Sequence, residues 1–291
     1  MYSDNQMSID TIQVNSYIQV EEINPAMHAE PRFNTKTSRY SYIFNINNLN
    51  ENAEQITDYL TYKTFKERTL EMLEFTDANT VRIDFAYDSF KHNYYQDMFV
   101  ITKFLMMLIA NRYVCNNIYE CVNQWTLDKN SIALKSQRFD IENYNKQTQE
   151  NRSDNEELIT DRLEFRIKKM YDEPEESKEL IAFNKLKNIL TKAIEPENIE
   201  SLENKISNLL IDKIAESKSE NTIDETLTVF KDSIFTKKIL VNVLAAVGYT
   251  DANQKANRFI RKKKLTTYKH KDINNFVAEL IEKGTNFFNQ N

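Results

Sequence analysis

The sequence predicts an α+β fold: an antiparallel sheet with helices on one face, followed by an all-helical C-terminal region. Three observations predict it. Residues 81–88, 138–144 and 161–168 alternate apolar and polar side chains with the period of two that one-sided strands need. Residues 96–113 contain the unbroken apolar run 104–110 of a buried helix. From Lys178 onward the apolar residues recur at helical spacing instead.

Taken in order, residues 1–35 read as a polar, irregular segment, because Pro25 and Pro31 discourage regular structure. Residues 40–44 alternate as a strand and run into the Asn-rich loop 45–50. Ile56, Leu60, Phe65, Leu70 and Leu73 give 51–74 a helical stripe. In 81–88, Val81, Ile83, Phe85 and Tyr87 fall on one face, with Arg82, Asp84, Ala86 and Asp88 on the other. A helix at 96–113, strands at 131–134 and 138–144, an acidic loop over 146–160 and a strand at 161–168 follow. Helices are then predicted at 178–193, 199–217, 222–230, 234–247, 251–263 and 272–283, with a break near Pro196. This gives an irregular segment 1–35, an α+β domain 36–175 and a helical domain 176–291, the change of pattern falling at 172–178. Leu202, Ile206, Leu209, Leu210 and Ile214 make the 199–217 helix either core or a dimer contact.

The composition excludes several classes. The chain has 291 residues, 41% hydrophobic and 28% charged, enough for one or two domains with a sizeable core. It has only 2 Gly, against the roughly 7% of ordinary usage, and no glycine-rich phosphate loop. The run 104–110 is far too short to span a bilayer, and no signal-peptide pattern opens the sequence. Cys115 and Cys121 stand six apart with no histidine nearby, which is not zinc spacing, and are expected to be buried thiols in a reducing cytoplasm. The net charge of -6 hides an asymmetry: residues 231–271 hold 11 Lys and Arg against 2 Asp. That block of +9 leaves -15 for the rest, and anionic partners respond to local fields.

The polar faces of the three strands carry Arg82 and Asp84, then Asp140, Glu142 and Tyr144, then Glu164 and Arg166. Sharing one sheet, they gather carboxylates, arginines and a tyrosine on one side. The plain alternative is a sheet with one solvated face.

At these residues a resemblance enters. The order of 44–49, 81–88, 138–146 and 162–166 resembles the trans-acting rolling-circle replication initiators of small Gram-positive plasmids and related relaxases of mobile elements. That family has an R-x-D-x-A-x-D strand with apolar x, then a strand bearing Y-N-K, then an R-x-E strand; here these are Arg82 to Asp88, Tyr144-Asn145-Lys146 and Arg162-Leu163-Glu164. The likeness covers roughly residues 40–170 and implies that Tyr144 attacks a DNA phosphodiester. It implies Asp84 and Glu164 as bases or ligands of Mg²⁺ or Mn²⁺, and Arg82, Lys146 and Arg166 as phosphate holders. Where the family carries an acid before the Asn-rich loop, this chain has Ile43, so Asp88 or Glu142 would have to complete the metal site. The His-hydrophobic-His motif of other nicking enzymes is absent.

The basic block has its own logic. Gly248 ends one apolar helix, and Thr250-Asp251 can cap the next, giving helix, turn and basic helix in the manner of a helix-turn-helix. Lys255, Arg258, Arg261, Lys262, Lys263, Lys264 and Lys269, with Tyr268, then either face nucleic-acid backbone or form the solvated charged face of a structural bundle, and 266–271 is a short strand or wing. Three readings result. The first is a cytoplasmic initiator that binds a plasmid origin and nicks one strand, with a homodimer and a host helicase or polymerase as further partners. The second is a non-cleaving origin-binding replication or partition protein. The third is a purely structural or interaction protein whose basic block meets an acidic partner.

Overall fold

The computed structural model describes residues 5–19, 32–45, 61–67, 69, 78–89, 95–114, 131–144, 161–216 and 222–289. The chain divides into two compact units that interleave along the sequence: Met1–Phe90, Lys135–Asn188 and Glu279–Asn291 form the first, Lys91–Leu134 and Ile189–Ala278 the second. The strands are β1 (Gln6–Ser16), β2 (Arg32–Asn34), β3 (Arg39–Asn45), β4 (Ala78–Ser89), β5 (Ser131–Lys135), β6 (Phe139–Tyr144) and β7 (Asp161–Lys168). They form a seven-stranded sheet in the order β2-β3-β1-β4-β7-β6-β5, and every pairing from β2 to β6 is antiparallel.

The largest departure from the sequence reading is β1. Residues 6–16 are not irregular; they form an interior strand of the sheet. Met7, Ile9, Ile12 and Val14 are buried, and the step from Ile9 to Ile12 breaks the period of two. The register slips at that place: Ile9 faces Phe85 and Thr11 faces Asp84, so Asp10 is the extra residue of a bulge. A second irregularity falls between Gln13 and Val14.

One face of the sheet is apolar, built from those β1 residues with Tyr42, Phe44, Ile83, Phe85, Tyr87, Ile141, Leu163, Phe165 and Ile167, all buried. Each such side chain contributes about 1.5–3 kcal/mol by leaving water. In the first unit, Phe183 and Phe288 cover Phe85 with ring centroids at 5.9 Å and 6.5 Å. Phe183 lies on helix α2 (Lys178–Ala193) and Phe288 on α7 (His270–Asn289), whose last residues, from Glu279, belong to this unit. A short helical run at 62–67 adds Tyr62, its ring 4.7 Å from Phe288. Gly284 on α7 is required by this packing. A Cβ there would stand 2.2 Å from the Phe183 ring and 3.1 Å from the Met7 sulfur. Gly284→Ala is therefore expected to destabilise by about 1–3 kcal/mol, despite alanine's better helix propensity. Urea unfolding measures it, and a stabilised variant would refute the close approach.

The second unit is helical. It contains α1 (Tyr95–Tyr113), the end of α2, α3 (Pro196–Glu216), α4 (Thr222–Val229), α5 (Lys237–Ala246), α6 (Ala252–Lys263) and the start of α7. Residues 104–110 of α1 are all buried, as their run of apolar side chains requires, and Phe104 stacks on Phe235 at 5.1 Å. Asn198 ties α3 to its neighbours, donating to the Ala193 carbonyl at 2.7 Å and to the Leu108 carbonyl at 2.9 Å. Leu202, Ile206, Leu210 and Ile214 of α3 are buried within the chain, as the core reading of this stripe expects, whereas Leu209 is only half-buried.

The buried Glu203 accepts from the Thr236 hydroxyl at 2.7 Å, and His270 Nε2 lies 3.1 Å from the same carboxylate. It thereby joins the entrances of α5 and α7. The expected wing at 266–271 is absent: 265–269 form no strand, and His270 and Lys271 already belong to α7. The Asn-rich loop from 46 to 50, most of the 51–74 helix, the acidic loop, Cys115, Cys121 and Lys146 lie outside the described residues.

Candidate functional site

The sheet's second face is polar, and the register sets its side chains in rows. Asp88, Arg162 and Tyr144 share one row, Ala86, Glu164 and Glu142 the next, Asp84, Arg166 and Asp140 a third, and Arg82 and Lys168 the fourth. Tyr144, Asp84, Glu164, Glu142, Arg82 and Arg166 are thus brought onto one face. It is not the solvated face of the plain alternative, because Asp84, Asp88, Arg162 and Glu164 are all buried.

Charges buried this deeply need partners. Arg82 clamps Asp84 with two bonds of 2.8 Å and 2.7 Å and also donates to Gln13 Oε1 at 3.1 Å. Arg162 clamps Asp88 at 2.6 Å and 2.7 Å, and its remaining arm donates to Asp10 at 2.6 Å. Arg166 meets Glu164 at 2.8 Å and Glu142 at 2.9 Å, and Lys168 meets Asp140 at 2.6 Å. Four cations thereby engage six carboxylates. Asp10 reaches this face through the bulge. No reading of the three motif strands contains it, yet the broken period Met7, Ile9, Ile12, Val14 carried the signal.

Burial tunes the acids. It raises Asp84 from 3.8 to about 7, outweighing the pull of Arg82, with Glu164 adding a smaller push upward. Burial likewise lifts Glu164 against the attraction of Arg166, and pushes the Tyr144 phenol well above its ordinary value while Arg162 opposes it. Burial works against the charge of Arg162, but Asp88 and Asp10 outweigh it and keep the guanidinium protonated.

The raised Asp84 has a measurable consequence. Below about pH 4 the carboxyl is protonated whether folded or unfolded. Between 3.8 and about 7 the unfolded chain releases a proton that the folded chain keeps, so stability falls as pH rises through that window. The slope from this one group is at most about 1.4 kcal/mol per pH unit. Asp84→Asn is expected to flatten it, although Arg82 then lacks its partner. Urea midpoints between pH 4 and 8 provide the check, and an unchanged slope would refute the assignment.

These residues do not fit a ready site for Mg²⁺ or Mn²⁺. Among the described residues no three His, Cys, Asp or Glu side chains converge as a cation requires. Asp84, Glu164 and Glu142 instead turn their oxygens to arginines.

The basic helix has a clear geometry. Gly248, at φ 95°, turns the chain between α5 and α6 in a conformation that costs an L side chain about 1–2 kcal/mol. Ala252, Ala256 and Phe259 bury one side of α6, and Arg258, Arg261, Lys262 and Lys264 are exposed on the other. Lys255 sits 3.3 Å from the centre of the Tyr249 ring, and Lys262 pairs with Asp224 at 3.1 Å. Lys263 is half-buried beside Phe259, and Lys269 is exposed ahead of α7.

No known family model matches the chain, and no curated protein matches it. Among solved structures, a rolling circle replication initiator protein from Geobacillus stearothermophilus is similar over 65% of this chain and 85% of its own, with 9% identity and a TM-score of 0.34. Among the described residues no helix is long and apolar enough to cross a membrane.

Proposed function

We propose that this chain is a DNA replication initiator of a plasmid or similar mobile element, acting in the cytoplasm on an origin through Tyr144. The observation that supports this best is the row Tyr144, Arg162, Asp88, with Glu164 one row along the same face and Asp84 two rows along it. In this reading the Tyr144 oxygen attacks phosphorus, and the bond from phosphorus to the 3′-oxygen breaks. The products are a 5′-phosphotyrosine and a free 3′-hydroxyl. The phenolic proton needs an acceptor within reach, and of the two acids implied by the resemblance Glu164, one row from Tyr144 and lifted by burial, suits that task better than Asp84, two rows away. The resemblance gives the phosphate to Arg82, Arg166 and Lys146, and the two arginines must first exchange their carboxylate partners for it. Mg²⁺ or Mn²⁺, implied by the resemblance, enters no step here.

A second reading has its own support. Every carboxylate of the face named above already meets a cation, and Tyr144 is held away from its phenolate, which suits an origin-binding replication or partition protein that does not cleave. Incubation with supercoiled origin plasmid decides between them: a covalent adduct at Tyr144 is the expected result, and bound but uncut origin would favour the second reading. A second copy and a host helicase or polymerase are the partners such a role engages.

Duplex binding is assigned to α6. Each exposed cation contacting phosphate adds about 0.9 to the slope of affinity against salt on logarithmic axes. Arg258→Ala with Arg261→Ala is expected to lower that slope by about 1.8. Duplex binding without salt dependence would instead favour an acidic protein partner for the basic block.

A further inference from the structure

We propose that the β2–β3 hairpin, together with Tyr17, is a platform for single-stranded DNA. It deepens the DNA reading above, but its physical basis is separate. On the polar face each of the four cations is engaged by a carboxylate, so that face offers a phosphodiester little free positive charge. Among the described residues of the β2 edge the balance reverses. Residues 32–45 contain Arg32, Lys36 and Arg39 and no Asp or Glu. Pairing of β2 with β3 and of β3 with β1 sets Arg32 opposite Ser41, and Ile43 opposite Gln13. Gln13 in turn faces Arg82. Arg32 and Arg39 therefore lie on the same sheet face as Arg82 and Asp84 and extend it outward to an edge whose described residues carry cations only.

The same edge exposes aromatic rings. Tyr17 is 65% and Phe33 is 52% exposed, unusual for side chains of this size. The Arg39 guanidinium stacks 4.4 Å from the Tyr17 ring centre, and Phe33 packs on Tyr40 at 4.9 Å. Stacking pre-orders these rings, so little rotamer freedom remains to be lost on binding. Among the described residues this edge carries Arg32 and Arg39 without an acid, Tyr17 against Arg39, and Phe33 with Tyr40 on the hairpin's other face. A chain crossing the edge therefore meets both cations and open rings, which matches an anionic chain with accessible base faces. Duplex DNA fits less well, because its bases already stack on one another. A base held against an open ring contributes roughly 1–3 kcal/mol in proteins that bind single strands.

The test is fluorescence anisotropy of a labelled (dT)15 and of a labelled 15-base-pair duplex, with the full chain. Phe33→Ala with Tyr17→Ala is expected to weaken (dT)15 binding by about a hundredfold and to leave duplex binding unchanged. Arg32→Ala is expected to lower the salt slope on (dT)15 by about 0.7. Both rings are exposed, so an unchanged circular dichroism melt confirms that the variant folds. Equal loss on both probes, or undiminished (dT)15 binding, overturns the platform. Duplex binding lost only in the α6 variant would leave the platform untouched, so the two assignments fail separately. Binding of an acidic, aromatic-rich peptide in preference to (dT)15 would also overturn it.

Discussion

Replacing Arg162 with alanine is expected to remove about 3–5 kcal/mol of stability, the largest single loss available on the polar face. Arg162 is 5% exposed, and its partners Asp88 and Asp10 are 0% and 6% exposed. Removing the guanidinium leaves two carboxylates in a medium that cannot solvate them. Arg162→Lys keeps the charge but loses the two-pronged clamp on Asp88, so it is expected to recover only part of the loss. Arg166→Ala is the control, because that side chain is 26% exposed and water can take over some of its role. Apolar replacement of all three residues is expected to restore much of the stability. Urea titrations of the four variants decide it. Equal losses at Arg162 and Arg166 would mean that burial does not set the cost.

Tyr144→Phe is expected to abolish strand nicking and the covalent adduct, a loss of at least about a thousandfold, because the attacking oxygen itself is removed. Phenylalanine fills the same half-buried place opposite Arg162, so the fold and the duplex affinity of α6 are expected to stay within about 1 kcal/mol of the parent. That separation makes the variant informative: binding retained with cleavage lost identifies the nucleophile. A nick surviving at the parental rate would remove Tyr144 from the chemistry.

Much of this fold was legible in the sequence. The alternation in 81–88, 138–144 and 161–168 gave β4, β6 and β7 nearly residue for residue, and helical spacing gave α2 at its observed bounds. The faces were legible too, since a period of two fixes which side chains share a side. Burial was not. Alternation shows that a strand has two different faces but not whether water reaches the polar one, and here Asp84 and Asp88 are enclosed. β1 escaped because a bulge shifts the phase of its pattern midway, so neither half is long enough to read alone. Asp10 was lost with it. The clamps of Arg162 and Arg82 depend on side-chain direction across strands, which one-dimensional spacing does not contain.

The bond from Asp10 to Arg162 closes across 152 residues of sequence. During synthesis at about 5–20 residues per second, Asp10 therefore leaves the ribosome roughly 8–30 s before its arginine does. For that interval a strand with four core side chains, and a carboxylate meant for burial, waits without the partner that neutralises it. The ladder of β1 can close once β3 and β4 have been made, but its Asp10 gains the buried cation that neutralises it only after β7 has been made.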